Sequence, residues 1–174
     1  MVERTMPETI ETERLILRGF VSGYFPAYSA YYTGGRTAGV GGPLPEHRVF
    51  ERFCAMIGHW DMRGYGRYAI TAGGAAFGHV GPMALPGGNE PEMTWTIWDA
   101  ARTGQGYATE AARAVLRAWN ARHKAPLVAI IDRENAASLR MAARLGGVED
   151  AGAPLPAHLP NARRFVLAVE DAAA

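Results

Sequence analysis

The chain has 174 residues, of which 48% are hydrophobic, so length and composition suit one domain over 1–174 with room for a sizeable core. Lys and Arg number 18 against 17 Asp and Glu, for a net charge of +1, and no basic footprint argues for nucleic acid. The single Cys54 excludes an intramolecular disulfide framework and fits a reducing cytoplasm; the scattered His47, His59, His79, His123 and His158 lack metal-ligand spacing, and no leader or membrane-length apolar run is visible.

Residues 12–18 alternate enough for an edge or first strand, and residues 21–32 form a short helical candidate that Pro26 should interrupt. Residues 33–45 are dense in Gly and Pro and read as a loop, long for a compact domain. Over 46–62, Val49, Phe50, Phe53, Met56, Ile57 and Trp60 recur at the spacing of one helical face. Residues 68–71 and 76–85 read as an antiparallel pair joined through Gly73-Gly74, and Pro86-Gly87-Gly88-Asn89 turns the chain into a strand over 92–98. A helix is expected over 106–122, with Tyr107, Ala111, Ala114, Val115, Ala118 and Trp119 on its apolar side. Residues 127–131 form a continuous apolar run, hence a buried strand, and Asn135 is a good N-cap for a helix that Gly146-Gly147 stops. Residues 163–169 read as a last strand and 171–174 as a frayed end. This order predicts an α+β (α/β mixed) protein with a mostly antiparallel sheet flanked by helices.

The most telling stretch is Thr103-Gly104-Gln105-Gly106-Tyr107-Ala108-Thr109-Glu110, a glycine loop between a strand and a helix. Glycines let the backbone approach a ligand closely, and the free N–H groups of the first helical turn, with the helix dipole behind them, suit a phosphate. A dinucleotide would use such a loop, but the third glycine of that fingerprint falls on Thr109. The preceding strand alternates instead of running as continuous Val and Ile, and the loop sits past the middle of the chain.

The segment Gly104-x-Gly106-Tyr107-Ala108-Thr109-Glu110-Ala111 resembles the pyrophosphate loop of the GNAT superfamily of N-acetyltransferases, specifically its RimJ/RimL-like branch. Asn135-Ala136-Ala137-Ser138, continuing to Leu145-Gly146, is similar to that branch's Asn-x-x-Ser helix. Thr12-Glu13-Arg14-Leu15-Ile16-Leu17-Arg18 resembles its first strand, and Gly41-Gly42-Pro43 with Trp60-x-x-Arg63-Gly64-Tyr65-Gly66 its acceptor-side segment. Two positions depart from the pattern: Thr103 replaces the usual Gln, Arg or aromatic, and Gly147 replaces Phe after Leu-Gly. The resemblance implies a GNAT fold and an acetyl-CoA-dependent N-acetyltransferase, working on a small-molecule or peptide amine in a direct ternary complex. A non-catalytic acyl-CoA-binding regulatory module on the same fold is the alternative, and homodimerisation is left open.

By that resemblance, Thr103, Gly104, Gln105, Gly106, Tyr107, Ala108 and Thr109 hold the pyrophosphate. Ile97 and Trp98 pair through their backbones with pantetheine, and Asn135 and Ser138 lie by the thioester end. An amine of pKa near 10 must lose a proton, whereas a thiol near 8.5 leaves with mild help. Glu92, before the aromatic Trp95 on the acceptor side, is the expected base; the alternative is a solvated strand end beside Pro91. Ser138 is expected to serve the leaving thiolate, Ala142 holding the place where other members carry Tyr; the alternative is a plain helix cap. Cys54 lies far from both motifs, so no covalent relay is expected. Arg36, the only charge of the 33–45 loop, is expected to recognise an acceptor anion from a segment hinged by Gly34, Gly35, Gly39, Gly41, Gly42 and Pro43.

Overall fold

The computed structural model describes residues 2–85 and 90–167. The turn expected at Pro86-Gly87-Gly88-Asn89, the last-strand residues Ala168 and Val169 and the end at 171–174 lie outside them. Among the described residues eight strands form one sheet: β1 (Thr9–Glu11), β2 (Ile16–Arg18), β3 (Tyr68–Ala72), β4 (Ala75–Met83), β5 (Glu92–Ile97), β6 (Leu127–Asp132), β7 (Val148–Glu149) and β8 (Ala162–Leu167). Their order is β1-β2-β3-β4-β5-β6-β8-β7, every pair antiparallel except β5 with β6. Four helices cover it: α1 (Phe25–Tyr32), α2 (Glu46–Arg63), α3 (Tyr107–Asn120) and α4 (Ala136–Arg144).

Two cores form on this frame. On one side Ala111, Ala112, Ala114 and Val115 bring α3 close over Ile70, Val80 and Met93, while Met141 and Ala142 of α4 close the end near Leu127 and Ile131. The other core gathers Tyr28 and Tyr32 of α1 and Val49, Phe53 and Met56 of α2 against Phe20, Ala69 and Trp98. Small side chains let α3 lie close to the sheet, and aromatic ones fill the wider space beneath α1 and α2.

Several expectations are corrected in detail. The strand expected over 12–18 is the turn and second arm of a hairpin whose first arm is β1, because the Thr12 hydroxyl accepts the Leu15 N–H at 3.0 Å and bends the chain between β1 and β2. Pro26 does not interrupt α1 but stands in its first turn, where a missing N–H leaves no hydrogen bond unmade. The 33–45 loop contains a short 3-10 helix, Gly35–Val40, wound around a fully buried Thr37 whose hydroxyl donates to Gly34 O at 2.8 Å. Phe50 and Ile57 of α2 are exposed, and the buried stripe is Val49, Phe53, Met56 and Trp60. Strand β7 is too short to leave a periodic signature.

Candidate active site

Glu92 and Val128 are the only opposed pair in the β5–β6 ladder among the described residues; beyond them the two strands separate. The Trp98 N–H donates to Phe77 O at 2.7 Å, so residue 98 and, by alternation, 96 and 94 turn their backbone groups toward β4. Trp95 and Ile97 therefore turn theirs into the gap, where an extended chain could pair with them. Trp98, expected to share that role with Ile97, is corrected. Its N–H is held by Phe77, its carbonyl accepts Arg36 Nη1 at 2.8 Å, and its ring lies in the second core.

The glycine loop lies past the end of β5. Gly104 and Gly106 have φ of +80° and +82°, left-handed values that reject a side chain, and Gly106 caps α3 without a side-chain bond to the first-turn N–H groups. The loop is braced from behind. Gln105 Nε2 donates to Ala101 O at 2.5 Å, Arg14 Nη1 donates to Gln105 O at 3.1 Å, and the Arg14 guanidinium lies 4.4 Å from the Tyr107 ring centre. Glu110 fixes Arg14 at 2.6 Å and accepts the Thr12 hydroxyl at 2.6 Å, and despite burial these partners hold its carboxyl below the usual range. Thr103 Oγ1 accepts Arg36 Nη2 at 3.3 Å, so its side chain is engaged within the protein. Beside Gly106 and Thr109 a hollow carries Arg113, Arg117 and Arg144, none with a carboxylate partner among the described residues.

A cavity of about 360 Å³ opens where β5 and β6 part, lined among others by Tyr32, Arg67, Glu92, Trp95, Ser138 and His158. The Glu92 carboxyl faces the Ile130 N–H, an amide that the opened ladder leaves without a strand partner. Burial holds its carboxyl above the ordinary value of 4.5, against the Arg67 charge, the Ile130 amide and His158. Ser138 lies opposite. Its hydroxyl accepts the Trp95 Nε1–H at 3.2 Å, which leaves its own proton free to donate, and its N–H is capped by Asn135 Oδ1 at 3.1 Å. Asn135 Nδ2 donates to Gly39 O at 3.4 Å, linking α4 to the 33–45 segment.

The structure thus brings Glu92, Trp95, Asn135 and Ser138 together on one cavity. Arg36 is not among its lining residues: it stands in a neighbouring hollow with Tyr31 and Asp99, bound to Trp98 and Thr103 behind the glycine loop. The 33–45 segment reaches the cavity through Gly39, Val40 and Gly41 instead. Cys54 is exposed on α2, off this cavity. Sequence reasoning missed Arg67, Arg52, Thr94 and His79, which also line it. Burial and the Arg67 and Arg52 charges keep His79 well below 6.5, so the ring is neutral at pH 7 and accepts the Trp98 indole N–H at Nδ1, 3.0 Å away. Among the described residues, no group of His, Cys, Asp and Glu is placed to hold a metal ion, and no helix is long and apolar enough to cross a membrane.

Residues 14–148 match the family described as acetyltransferase (GNAT) domain. A solved acetyltransferase from Agrobacterium tumefaciens C58 is similar at 31% identity and TM-score 0.85, over 95% of this chain and 96% of that one. A GNAT-family acetyltransferase from Bordetella pertussis is similar at 28% identity and TM-score 0.74, over 92% and 98%. The fold is shared with RimL, the ribosomal L7/L12 alpha-N-protein acetyltransferase solved with coenzyme A, at 17% identity and TM-score 0.72 over 91% and 97%. None of the curated proteins compared with the chain matches it.

Proposed function

Because the chain belongs to the GNAT acetyltransferase family, whose members use acetyl-CoA, we propose that it moves an acetyl group from acetyl-CoA directly to a primary amine in a ternary complex. The observation that carries this reading is the parting of β5 and β6 beyond Glu92 and Val128, with the glycine loop past one strand and Glu92 and Ser138 on either wall. The residues fit the thioester substrate. Unpaired backbone groups of Trp95 and Ile97 suit an extended pantetheine arm, and a β5 N–H in the gap can polarise the thioester carbonyl. Gly104 to Thr109 suit its pyrophosphate, and the basic hollow at Arg113, Arg117 and Arg144 suits a further phosphate.

Glu92 accepts the ammonium proton, directly or through one water, and its raised pKa brings it closer to working pH. Ser138 turns its free O–H toward the departing thiolate and stabilises it by a hydrogen bond, while the second proton of the amine passes to the sulfur as the intermediate collapses to amide and thiol. Trp95 holds that hydroxyl directly, and Asn135 anchors the backbone N–H of the same residue. The test has two parts: calorimetry with acetyl-CoA and with dinucleotides, and thiol release across a panel of primary amines. Turnover of an amine with binding of coenzyme A is expected. Tight coenzyme A binding with no thiol release from any amine would replace this reading with a binding module.

A further inference from the structure

We propose that the acceptor amine carries a carboxylate, and that Arg67 and Thr94, with Arg52 at the rim, hold that carboxylate on the cavity wall beside Glu92. This rests on the acetyltransferase reading and adds the acceptor's chemical class. Two atoms carry the argument. Arg67 Nε and Thr94 Oγ1 are both buried and both without a hydrogen-bond partner, and both residues line the same cavity. Buried polar groups are nearly always satisfied, so two orphans in one cavity mark a place where a ligand completes the bonding.

The sheet register puts them next to each other. Tyr68 pairs with Val80, so the preceding Arg67 stands beside Gly81, and Gly81 pairs with Thr94. Gly81 lets the backbones approach closely there: an added Cβ would stand 3.0 Å from the Arg67 Cα. Glu92 lies two residues along β5 from Thr94, about 7 Å away, so one small molecule can present an amine to Glu92 and an anion to Arg67.

The charges agree. Neither Arg67 nor Arg52 forms an ion pair among the described residues. The Arg67 side chain makes a long contact from Nη1 to the sulfur of Met56 at 3.8 Å, and the Arg52 guanidinium stands 5.3 Å from the Tyr32 ring centre. Of the cavity's own carboxylates, Glu92 feels the Arg67 charge without forming an ion pair with it, and Asp132 accepts the Glu134 N–H at 2.8 Å. A planar guanidinium with free donors matches a carboxylate in two-point geometry, with the threonine hydroxyl as a third donor.

The experiment titrates α-, β- and γ-amino acids, each beside its carboxamide, into the full chain saturated with coenzyme A. A second arm uses C-terminally amidated peptides with Asp or Asn at the second position. Calorimetry should find an acid that binds at least 30-fold tighter than its amide. That preference should vanish in Arg67→Gln and fall about fivefold in the near-isosteric Thr94→Val, with coenzyme A affinity within twofold in both. Binding by a free amino acid makes the acceptor a small molecule; Arg67-dependent binding confined to the Asp peptides makes it an acidic N-terminus. Equal binding of acid and amide, no binding in either arm, or a preference that survives Arg67→Gln would overturn the proposal. Failure of the wild-type chain to bind coenzyme A is a separate result that removes the reading beneath it, and the proposal with it.

Discussion

The indole N–H of Trp95 donates to the hydroxyl of Ser138 at 3.2 Å, joining β5 to α4 across the gap where β5 leaves β6. An accepted hydrogen bond fixes the oxygen and directs the hydroxyl's own proton elsewhere. Ser138→Ala should lower kcat about 10- to 100-fold, the loss of one hydrogen bond to the departing thiolate, because a thiol near pKa 8.5 leaves with little help. The KM for acetyl-CoA should stay within about threefold. Trp95→Phe keeps the ring and removes the donor, so it should give a smaller loss in kcat without changing the pH profile. Steady-state thiol release measures both, and an unchanged kcat in Ser138→Ala would reduce the serine to a capped helix position.

Glu92→Gln removes the proton acceptor and keeps its shape. At neutral pH kcat should fall by about 100-fold or more, and the loss should shrink as pH rises toward the amine pKa, where free amine no longer needs a base. The wild-type profile should lose activity on the acid side through the raised pKa of Glu92, above its ordinary 4.5. A loss under about threefold across the range would assign the proton transfer to water.

The same residue should destabilise the fold at working pH. The Glu92 carboxyl titrates higher in the native state than when unfolded, so the folded chain binds more protons between 4.5 and its raised value, and stability falls as pH rises through that window. Below 4.5 the penalty is absent. Each unit of elevation amounts to about 1.4 kcal/mol. Glu92→Gln should therefore raise Tm at pH 7 and leave it nearly unchanged at pH 4; denaturation at the two pH values checks the sign.

What the sequence disclosed was local. The glycine loop, the Asn135 cap and the 46–62 helix are written in contiguous residues, and each formed within a residue or two of its expected place. Glu92, Trp95 and Ser138 could be singled out as candidates because they stand near those motifs in the sequence, and the fold brings all three to one cavity. Arg67 was not legible, since its meaning depends on the register that carries it past Gly81 to Thr94. Trp98 was misassigned for the same reason, because the direction of a strand's backbone groups is set by which neighbour it pairs with. Arg36 was read from charge alone, and only the folded chain shows that it turns back toward Trp98 and Thr103.

That placement reverses the expectation for Arg36. Its guanidinium ties the 3-10 helix at Gly35–Val40 to the end of β5 and to the first residue of the glycine loop. Arg36→Ala should raise the KM for acetyl-CoA about 3- to 10-fold, in keeping with the loss of charge-assisted bonds that are partly exposed, and leave the acceptor KM within about twofold. The opposite split would return Arg36 to the acceptor side.

The glycine loop provides the most direct test of cofactor binding. At Gly106, with φ of +82°, an added Cβ would find only Arg14 Nη2, 3.5 Å away, and at Gly104, with φ of +80°, it would meet no protein atom within 4 Å. Neither substitution clashes with the protein, so any loss must come from the left-handed backbone or from the ligand. A non-glycine residue there costs about 1–3 kcal/mol, which Gly104→Ala and Gly106→Ala should both register in Tm. Gly106→Val adds a branched side chain on the rim of the cradle, where first-turn N–H groups face the pyrophosphate. Its affinity for acetyl-CoA should fall at least tenfold below that of Gly106→Ala, while the two variants unfold within a few degrees of each other. Calorimetry beside thermal denaturation separates the effects, and equal affinity in Gly106→Ala and Gly106→Val would move the pyrophosphate away from this loop.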